Sequence, residues 1–384
     1  MSKTVLEKDK NNLESNEAKA PREKLFHIAK RMDVSLQYKI IVRVISIVTA
    51  LLMCAFVLNI FKPGKFFTIF SSSFNALTGS TNKFFITLDE FAILLGISIA
   101  ILPAFKMKFW NLGAEGQILI GGLAAVLVSK YIGPYVPNVL CTILMLIFAI
   151  IAGGVWALIP AFFKAKFNTN ETLFTLMMNY LAMGFIAFFE QVIDPAHGTI
   201  AQLTNGTFPD ATDNVKTIIA FVIVVLMTLF MFGYLNKTKH GYELTVVGET
   251  RNTAKYIGIN VKAVIMRTVV LCGILCGIIG YFTVLKQKSI SPNIIGGKGF
   301  TAVMIAWLGH MNVVEVIVMA FLVAFITRGS SVAATNVDLG SAFTNITIAI
   351  FLITILAFEF FLNYEVHFNK KIFKSKKEVK EVEE

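Results

Sequence analysis

Charged residues are scarce in this sequence. Of its 384 residues, 15% are charged and 56% are hydrophobic, and the mean hydropathy is +0.71. Ordinary soluble domains are about one quarter charged, so a soluble fold is excluded. Several apolar runs reach the ~18 residues that a membrane-crossing helix needs. The sequence predicts an all-α fold, a polytopic membrane helix bundle of about ten transmembrane helices with short or re-entrant segments.

Several functional motifs are also missing. The chain has no G-x-x-x-x-G-K-[ST] loop and is therefore not expected to bind ATP through a Walker motif. It has no His/Glu metal spacing and no G-x-S-x-G nucleophile turn, so neither an enzyme, a metal site nor a resident cofactor is predicted. An Arg-rich repeating helix and a TVGYG-like filter are absent, which disfavours a voltage-gated or potassium channel.

Cysteine is rare as well. The four cysteines, Cys54, Cys141, Cys272 and Cys276, all lie in apolar runs. Cys272 and Cys276 share one helix face, but no third ligand completes a metal set. We interpret all four as small packing residues.

The formal net charge is +11, and the cations gather at the flanks of the apolar runs. Cations in these positions favour anionic lipid headgroups over nucleic acid as the partner. They also indicate which loops lie in the cytosol. We expect a cytosolic N-terminal tail at 1–38, a transmembrane domain at 39–362 and a charged cytosolic tail at 363–384. This predicts a multi-pass protein of the cytoplasmic membrane with both termini in the cytosol.

The segment Asn236–Lys262 is the most basic connection between two apolar runs. It contains five cations, Lys237, Lys239, Arg251, Lys255 and Lys262, against two glutamates, and is therefore expected in the cytosol. It also predicts a short helix, capped by Thr250 or Asn252 and ended by Gly258. The alternatives are a solvated connector and a helix on which a motor protein pushes.

Asn111–Gln117 (NLGAEGQ) places amide and carboxyl groups beside apolar sequence. Burying such groups costs roughly 2–7 kcal/mol each unless they are hydrogen-bonded. Asn111, Glu115 and Gln117 are therefore candidates for lining a polar conduit, and the alternatives are helix-to-helix hydrogen bonds or a cytosolic turn. In a second group, Asn170 and Glu171 suit a helix start, which leaves Asn179 unexplained.

Short, Gly-rich apolar segments occur near 113–132 and near 296–309, which indicates a pathway near the middle of the bilayer. We expect Phe300–Gly309 and Val313–Ile326 to be half-helices or a re-entrant pair, and the region with Ser71–Ser73 to be an outer loop. When the predicted spans are counted along the chain, the lysines of Lys286–Gly299 fall outside the cell. This contradicts the rule that cations collect in cytosolic loops.

Three stretches resemble permease subunits of bacterial ATP-binding-cassette (ABC) importers, in the nucleoside and simple-sugar branch of the branched-chain amino-acid/ribose permease superfamily. Asn111–Gln117 matches the pattern N-[IL]-G-A-E-G-Q. Asn170–Tyr180 (NETLFTLMMNY) is similar to N-E-x-[IL]-x-T-L-M-L-N-Y. Gly248–Ile259 (GETRNTAKYIGI) resembles G-x-N-P-x-A-A-R-Y-A-G-I, the segment that docks on the ATPase, although Thr250-Arg251 replaces Asn-Pro and Thr253 replaces the first Ala of the pair.

The resemblance implies nucleoside import by alternating access, with ATP bound by separate subunits. The implied partners are two ABC ATPase subunits, a second permease (a related chain or a second copy) and an extracytoplasmic substrate-binding protein. The implied pathway residues are Asn111, Gly113, Glu115, Gly116, Gln117, Asn170, Glu171 and Asn179. The implied coupling residues, within 248–259, are Gly248, Thr250, Arg251, Ala254, Lys255, Tyr256, Ile257 and Gly258.

Other functions remain open at this level. Simple sugars or branched-chain amino acids are alternative substrates within the same superfamily. An ion-coupled secondary transporter would need no ATPase, and a membrane enzyme or scaffold subunit would need a polar site that the sequence does not show.

Overall fold

The computed structural model describes residues 26–31, 35–195, 200, 203, 205–206 and 212–368. Within them, thirteen α-helices follow one another: α1 Leu36–Phe61, α2 Thr68–Thr78, α3 Thr81–Lys106, α4 Ala114–Tyr131, α5 Asn138–Phe167, α6 Glu171–Ile193, α7 Asp213–Lys237, α8 Lys239–Glu249, α9 Arg251–Tyr256, α10 Val261–Gln287, α11 Lys298–Leu308, α12 Val313–Asn336 and α13 Ser341–Asn363. Two strands, β1 Phe26–Lys30 and β2 Tyr364–Phe368, flank the helices.

Eight of these helices are long and apolar enough to cross a membrane: α1, α3, α5, α6, α7, α10, α12 and α13. The chain is therefore a polytopic helical membrane protein, as predicted. Two further apolar helices bring the number to the ten that were predicted. They are α4, with 18 residues and a polar first turn, and α11, with 11 residues. At a rise of about 1.5 Å per residue, α11 is too short to cross a bilayer core about 30 Å thick.

Two expectations from the sequence were wrong. Residues Thr68–Thr78 form helix α2 and not a loop, and the serine hydroxyls are satisfied within the helix, as Ser73 donates to the Ile69 carbonyl. Helix α12 does not end near Ile326 but continues to Asn336. Part of this polar continuation packs inside the protein, since Ser330 is fully buried and Gly329 packs against Ser73.

The chain divides into two compact units, and each is described by itself. One comprises the described parts of Met1–Ala50 and Ile353–Glu384. In it, β1 and β2 pair antiparallel, with Ile28 opposite Val366, and Arg31 Nε lies 3.3 Å from a carboxylate oxygen of Glu365. The tail composition did not predict this pairing, and residues 1–25 and 369–384 lie outside the described part of the chain.

The other unit, Leu51–Leu352, is built around α10 and α3. In their apolar windows 72% and 67% of the residues are buried, against 28% in α5, α6 and α7, which therefore leave apolar surface for lipid or a partner. Helix α10 lies against α5 and α4 through three glycines on one face, Gly273, Gly277 and Gly280. A Cβ on Gly277 would meet the carbonyl oxygen of Ala149, so the two backbones touch directly.

Two of the three lysines that contradicted the charge rule, Lys286 and Lys298, have acidic partners. Lys286 Nζ lies 2.7 Å from Asp89 Oδ2, and Lys298 Nζ lies 2.9 Å from Glu90 Oε2. Both carboxylates project from α3, so the two ion pairs tie α3 to the end of α10 and to the start of α11. Paired in this way, the two lysines carry little net charge and do not force this side of the bundle toward the cytosol.

Replacing Gly277 with Val should disrupt the contact between α10 and α5. Overpacking a closely packed site typically costs about 1–3 kcal/mol, and here the obstacle is backbone that does not move aside easily. Thermal unfolding in detergent, followed by size-exclusion fluorescence, should show a clear fall in midpoint. Gly184→Val is the matched control, because nothing lies within 4 Å of a Cβ on Gly184; equal losses in both variants would contradict the packing account.

Candidate translocation and coupling sites

The link between α3 and α4, Met107–Gly113, turns back into the protein. Helix α3 ends where the Phe109 N–H donates to the Ala104 carbonyl at 2.9 Å and Lys108 adopts a left-handed backbone with φ of 55°. Met107 and Phe109 are buried. Helix α4 therefore begins inside the bundle and not at a solvated turn.

The start of α4 carries a buried polar cluster, which we define as Asn111, Glu115, Gln117, Thr175 and Asn179. Each of these residues is at most 2% exposed. The first three lie at the beginning of α4 and the last two on α6. The cytosolic-turn interpretation of Asn111–Gln117 is therefore excluded.

Asn179 joins α6 to the start of α4 through two hydrogen bonds. Its Oδ1 accepts from the Gly116 N–H, and its Nδ2 donates to the Leu112 carbonyl, both at 2.8 Å. A Cβ on Gly116 would lie 2.9 Å from Asn179 Oδ1, so glycine is required for this approach. Thr175 adds a third link, since its hydroxyl accepts from the Leu112 N–H at 3.1 Å.

Glu115 connects the polar cluster to α11. Its Oε1 accepts a hydrogen bond of 3.0 Å from the Gly297 N–H, at the residue that precedes the first turn of α11. Gly296 and Gly297 have φ of 62° and 78°, a left-handed conformation that glycine adopts without strain. The carboxylate thus stands at the N-terminus of α11, where the helix dipole favours a negative charge.

Three polar atoms of the polar cluster have no hydrogen-bond partner among the described residues: Asn111 Nδ2, Glu115 Oε2 and Gln117 Oε1. Leaving such a group buried and unpaired costs about 1–3 kcal/mol. One donor and two acceptors are therefore available to any polar group that reaches this point. Helix-to-helix hydrogen bonding accounts for Asn179 and for one oxygen of Glu115, but not for these three atoms.

Asn170 and Glu171 lie outside the polar cluster, at the first turn of α6. Asn170 Oδ1 accepts from the Leu173 N–H at 3.2 Å, which is an N-cap. Glu171 forms an ion pair with Lys164 of α5, whose Nζ also donates to the Thr169 carbonyl at 3.0 Å. These contacts fix the turn between α5 and α6, and a role of the two residues in the pathway stays a prediction.

We call one end of the bundle the basic end. Helices α3, α5 and α7 end there, helices α6 and α10 begin there, and the short helices α8 and α9 lie there. Its cations are Lys106, Lys108, Lys164, Lys166, Lys237, Lys239, Arg251, Lys255 and Lys262. The predicted short helix is α9, with Thr250 at the N-cap position but without a side-chain capping bond, and Gly258 follows with φ of 84°. Helix α8 was not predicted, because its residues are mixed in polarity and contain Gly241 and Gly248.

Helix α9 presents most of its predicted coupling residues outward. Tyr256 is 93% exposed and Ile257 51%, whereas Ala254 is fully buried and anchors the helix. Lys255 is exposed, and Arg251 donates from Nη1 to Asn168 Oδ1 at 3.1 Å, at the turn between α5 and α6.

Gly248 joins this region to α3. A Cβ at Gly248 would collide with the carbonyl oxygen of Lys106 and would lie 3.1 Å from the Cα of Met107. The last turn of α8 therefore rests on the residues at which the Met107–Gly113 link begins.

A partly exposed ion pair connects α8 to α10. Glu243 Oε2 lies 2.8 Å from Arg267 Nη2, and Lys239 and His240 approach the same carboxylate. The hydrogen bond from Arg267 lowers the pKa of Glu243 below its ordinary value, and the nearby cations act in the same direction. The carboxylate therefore stays ionised at neutral pH, and α8 is held firmly between α10 and α3.

Replacing Asn179 with Ala should destabilise the protein more than Asn170→Ala. The first change leaves the Gly116 N–H and the Leu112 carbonyl unpaired, at about 1–3 kcal/mol for each buried group, whereas losing a cap costs about 1 kcal/mol. Thermal unfolding of the purified chains measures both. Equal shifts would mean that the bonds of Asn179 contribute no more than a helix cap.

Comparison with known proteins agrees with these features. The profile of the family described as "Branched-chain amino acid transport system / permease component" matches residues 83–356. The chain is 29% identical to the guanosine ABC transporter permease protein NupP of Bacillus subtilis over 279 residues, 69% of this chain and 77% of the relative. It is 25% identical to the nucleoside ABC transporter permease protein NupB of Lactococcus lactis, covering 76% of this chain and 84% of that protein.

A glucose ABC transporter permease protein of Haloferax volcanii is 27% identical over 292 residues, 71% of this chain and 75% of the relative. No solved structure matches the chain. Because the family profile covers 83–356, it includes α4, α6 and the predicted coupling segment 248–259. The chain belongs to the family of permease components of branched-chain amino-acid transport systems, and it is a transport subunit of the ABC permease type.

Proposed function

We propose that this permease forms the membrane pathway of an ABC importer that takes up nucleosides, driven by two separate ATPase subunits. One observation supports this more than any other: α9, exposed at Tyr256, is connected through α8 to the start of the link that carries the polar cluster. In a transporter driven by an ion gradient, such an exposed, basic helix would have no role, because no ATPase binds there.

The basic end faces the cytosol in this proposal. Cations concentrate on the cytosolic flanks of membrane proteins, and the basic end carries the nine cations named above. With this orientation the protein lies in the cytoplasmic membrane, both termini are cytosolic, and α9 is accessible to an ATPase. The paired lysines Lys286 and Lys298 then lie toward the exterior.

Force would travel through contacts between backbone atoms. A partner that closes on Tyr256 and Ile257 displaces α9, and α8 moves with it because Ala254 is buried and Thr250 ends one helix and begins the next. Gly248 then presses on the backbone of Lys106, which starts the link to the polar cluster. Little movement is lost on the way, because close-packed backbone compresses little.

The polar cluster would change its partners in this movement. Glu115 holds α11 in place, and α11 is flanked by Gly296-Gly297 at its start and by left-handed His310 and Met311 at its end. Rotating α11 would release Glu115 and expose the three unpartnered atoms to a passing polar molecule. Hydroxyl and amide groups of a nucleoside match this set of one donor and two acceptors.

The partners follow from the same proposal. An extracytoplasmic binding protein delivers the substrate, and a second permease completes the pathway. Two guanosine permease proteins of Bacillus subtilis, NupP and NupQ, both match this chain, which favours a related second chain over a second copy. A simple sugar is the alternative substrate, because the glucose permease of Haloferax volcanii also matches.

The direct test is uptake by the reconstituted complex. Proteoliposomes with the permeases, candidate ATPase subunits and binding protein should take up labelled uridine only with ATP, and excess adenosine should compete. Competition by ribose but not adenosine would indicate a sugar permease. Uptake driven by an ion gradient without any ATPase would contradict the ABC mechanism.

Gly248→Val should uncouple ATP hydrolysis from uptake. The added side chain pushes α8 away from Lys106, so ATPase subunits still bind α9 but no longer move the link. We expect uptake to fall about tenfold or more while ATP hydrolysis continues, a loss of ~1.4 kcal/mol or more in coupling. Gly233→Val on α7 is the control, since nothing lies within 4 Å of its Cβ position; unchanged uptake by Gly248→Val would contradict the route.

A further inference from the structure

A cavity of about 600 Å³ lies at the basic end, apart from the polar cluster. Its walls are the end of α3, the start of the Met107–Gly113 link, the end of α7 and the turn between α11 and α12. Its volume is in the range of about 300–1,000 Å³ that small-molecule sites occupy. The proposed pathway does not use this cavity, and the coupling route meets it only at Lys106.

The wall of this cavity is both basic and aromatic. Lys106 and Lys108 line it and form no ion pair within the described residues, and no carboxylate residue belongs to the lining. His310 also lines it and is held by Glu315 at 2.9 Å. The cavity is therefore positively charged, and it fits an anion.

The same cavity has an apolar side that opens outward. Trp110 and Trp307 line it and are 41% and 40% exposed, and Phe232 and Val314 continue it with 40% and 56% exposure. Tryptophan is typical of the boundary between headgroups and acyl chains. Asn236 and Asn312, also in the wall, carry amide groups that can donate hydrogen bonds.

We propose that the headgroup of an anionic phospholipid occupies this cavity, with its phosphate between Lys106 and Lys108 and its acyl chains along Phe232 and Val314. A free phosphate would leave the tryptophans and the apolar wall without a contact. Basic pockets between transmembrane helices at the cytosolic side are typical lipid-headgroup sites.

Because Lys106 belongs both to the cavity wall and to the coupling route, a lipid bound here would affect transport. The side chain of Lys106 lines the cavity, while its carbonyl oxygen touches the position of Gly248. A bound anionic headgroup would therefore brace the end of α3, on which α8 presses. Transport should then depend on the anionic lipid content of the membrane.

Tryptophan quenching tests the site directly. The chain has three tryptophans, and Trp156→Phe leaves only the two in the cavity wall. The measurement is made in nanodiscs with the permease chain alone and with the assembled transporter, whose partner subunits have their tryptophans replaced by Phe. In both, brominated phosphatidylglycerol should quench this variant at lower mole fraction than brominated phosphatidylcholine. Lys106→Gln with Lys108→Gln should weaken the preference about tenfold or more, since each lysine near an anionic surface contributes about fivefold.

The control is Lys166→Gln with Lys262→Gln, which removes the same charge from the basic end but not from the cavity wall, and should keep the preference. A chain with Trp110→Phe and Trp307→Phe reports only Trp156 and should show no preference between the lipids. Equal quenching of the Trp156→Phe chain by both lipids would overturn the proposal. So would displacement by inorganic phosphate, which indicates a free-anion site, or loss of quenching only in the assembled complex, which indicates a partner subunit in the cavity.

Discussion

The hydrogen bond between the Glu115 carboxylate and the Gly297 N–H is the interaction on which the rest of the arrangement depends. A buried carboxylate costs several kcal/mol unless it is well partnered, and a helix as short as α11 has little stability of its own. Each compensates for the other: the start of α11 supplies a donor and a favourable dipole, and Glu115 holds that start in place. Gly299 permits the contact, because a Cβ there would lie 2.9 Å from the Cβ of Glu115.

This contact lies between two sets of polar interactions. Toward the basic end, Asn179 and Thr175 fix the start of α4 on α6, and the link from α3 reaches Gly248. Toward the other end, Lys298, the residue after Gly297, pairs with Glu90 on α3. Helix α11 is thus held from both sides by charged or polar bonds and not by apolar packing alone. Directional bonds of this kind are broken or made as a unit, which suits an element with two discrete positions.

Much of the fold was predictable from the sequence, since runs of apolar residues specify membrane helices almost by length alone. The errors have a common cause. Ser71–Ser73 and the residues after Ile326 are polar, and hydropathy cannot distinguish a polar residue in solvent from one that bonds its own helix or packs against another. Hydropathy also gives no information on which residues pair. The partners of Lys286 and Lys298, about two hundred residues away in α3, could therefore not be predicted.

For the candidate site, the sequence singled out four of the five residues of the polar cluster, but it missed Thr175 and did not show how the residues pair. Asn111, Glu115 and Asn179 stood out because amides and carboxylates are costly in apolar surroundings. Asn170 was predicted to suit a helix start, and it is an N-cap. Gly297 lies in the Gly-rich segment 296–309 that the sequence singled out, but nothing in the sequence indicated that its N–H donates to Glu115. Long-range contacts of this kind depend on backbone position, which residue type alone does not specify.

Hydrogen exchange in the assembled, reconstituted transporter is the most direct test of the central claim. The account predicts that binding of a non-hydrolysable ATP analogue changes amide protection at 111–117 and at 296–299 together, although both lie far from the ATP. A complex that transports substrate while both segments keep the same protection would contradict it.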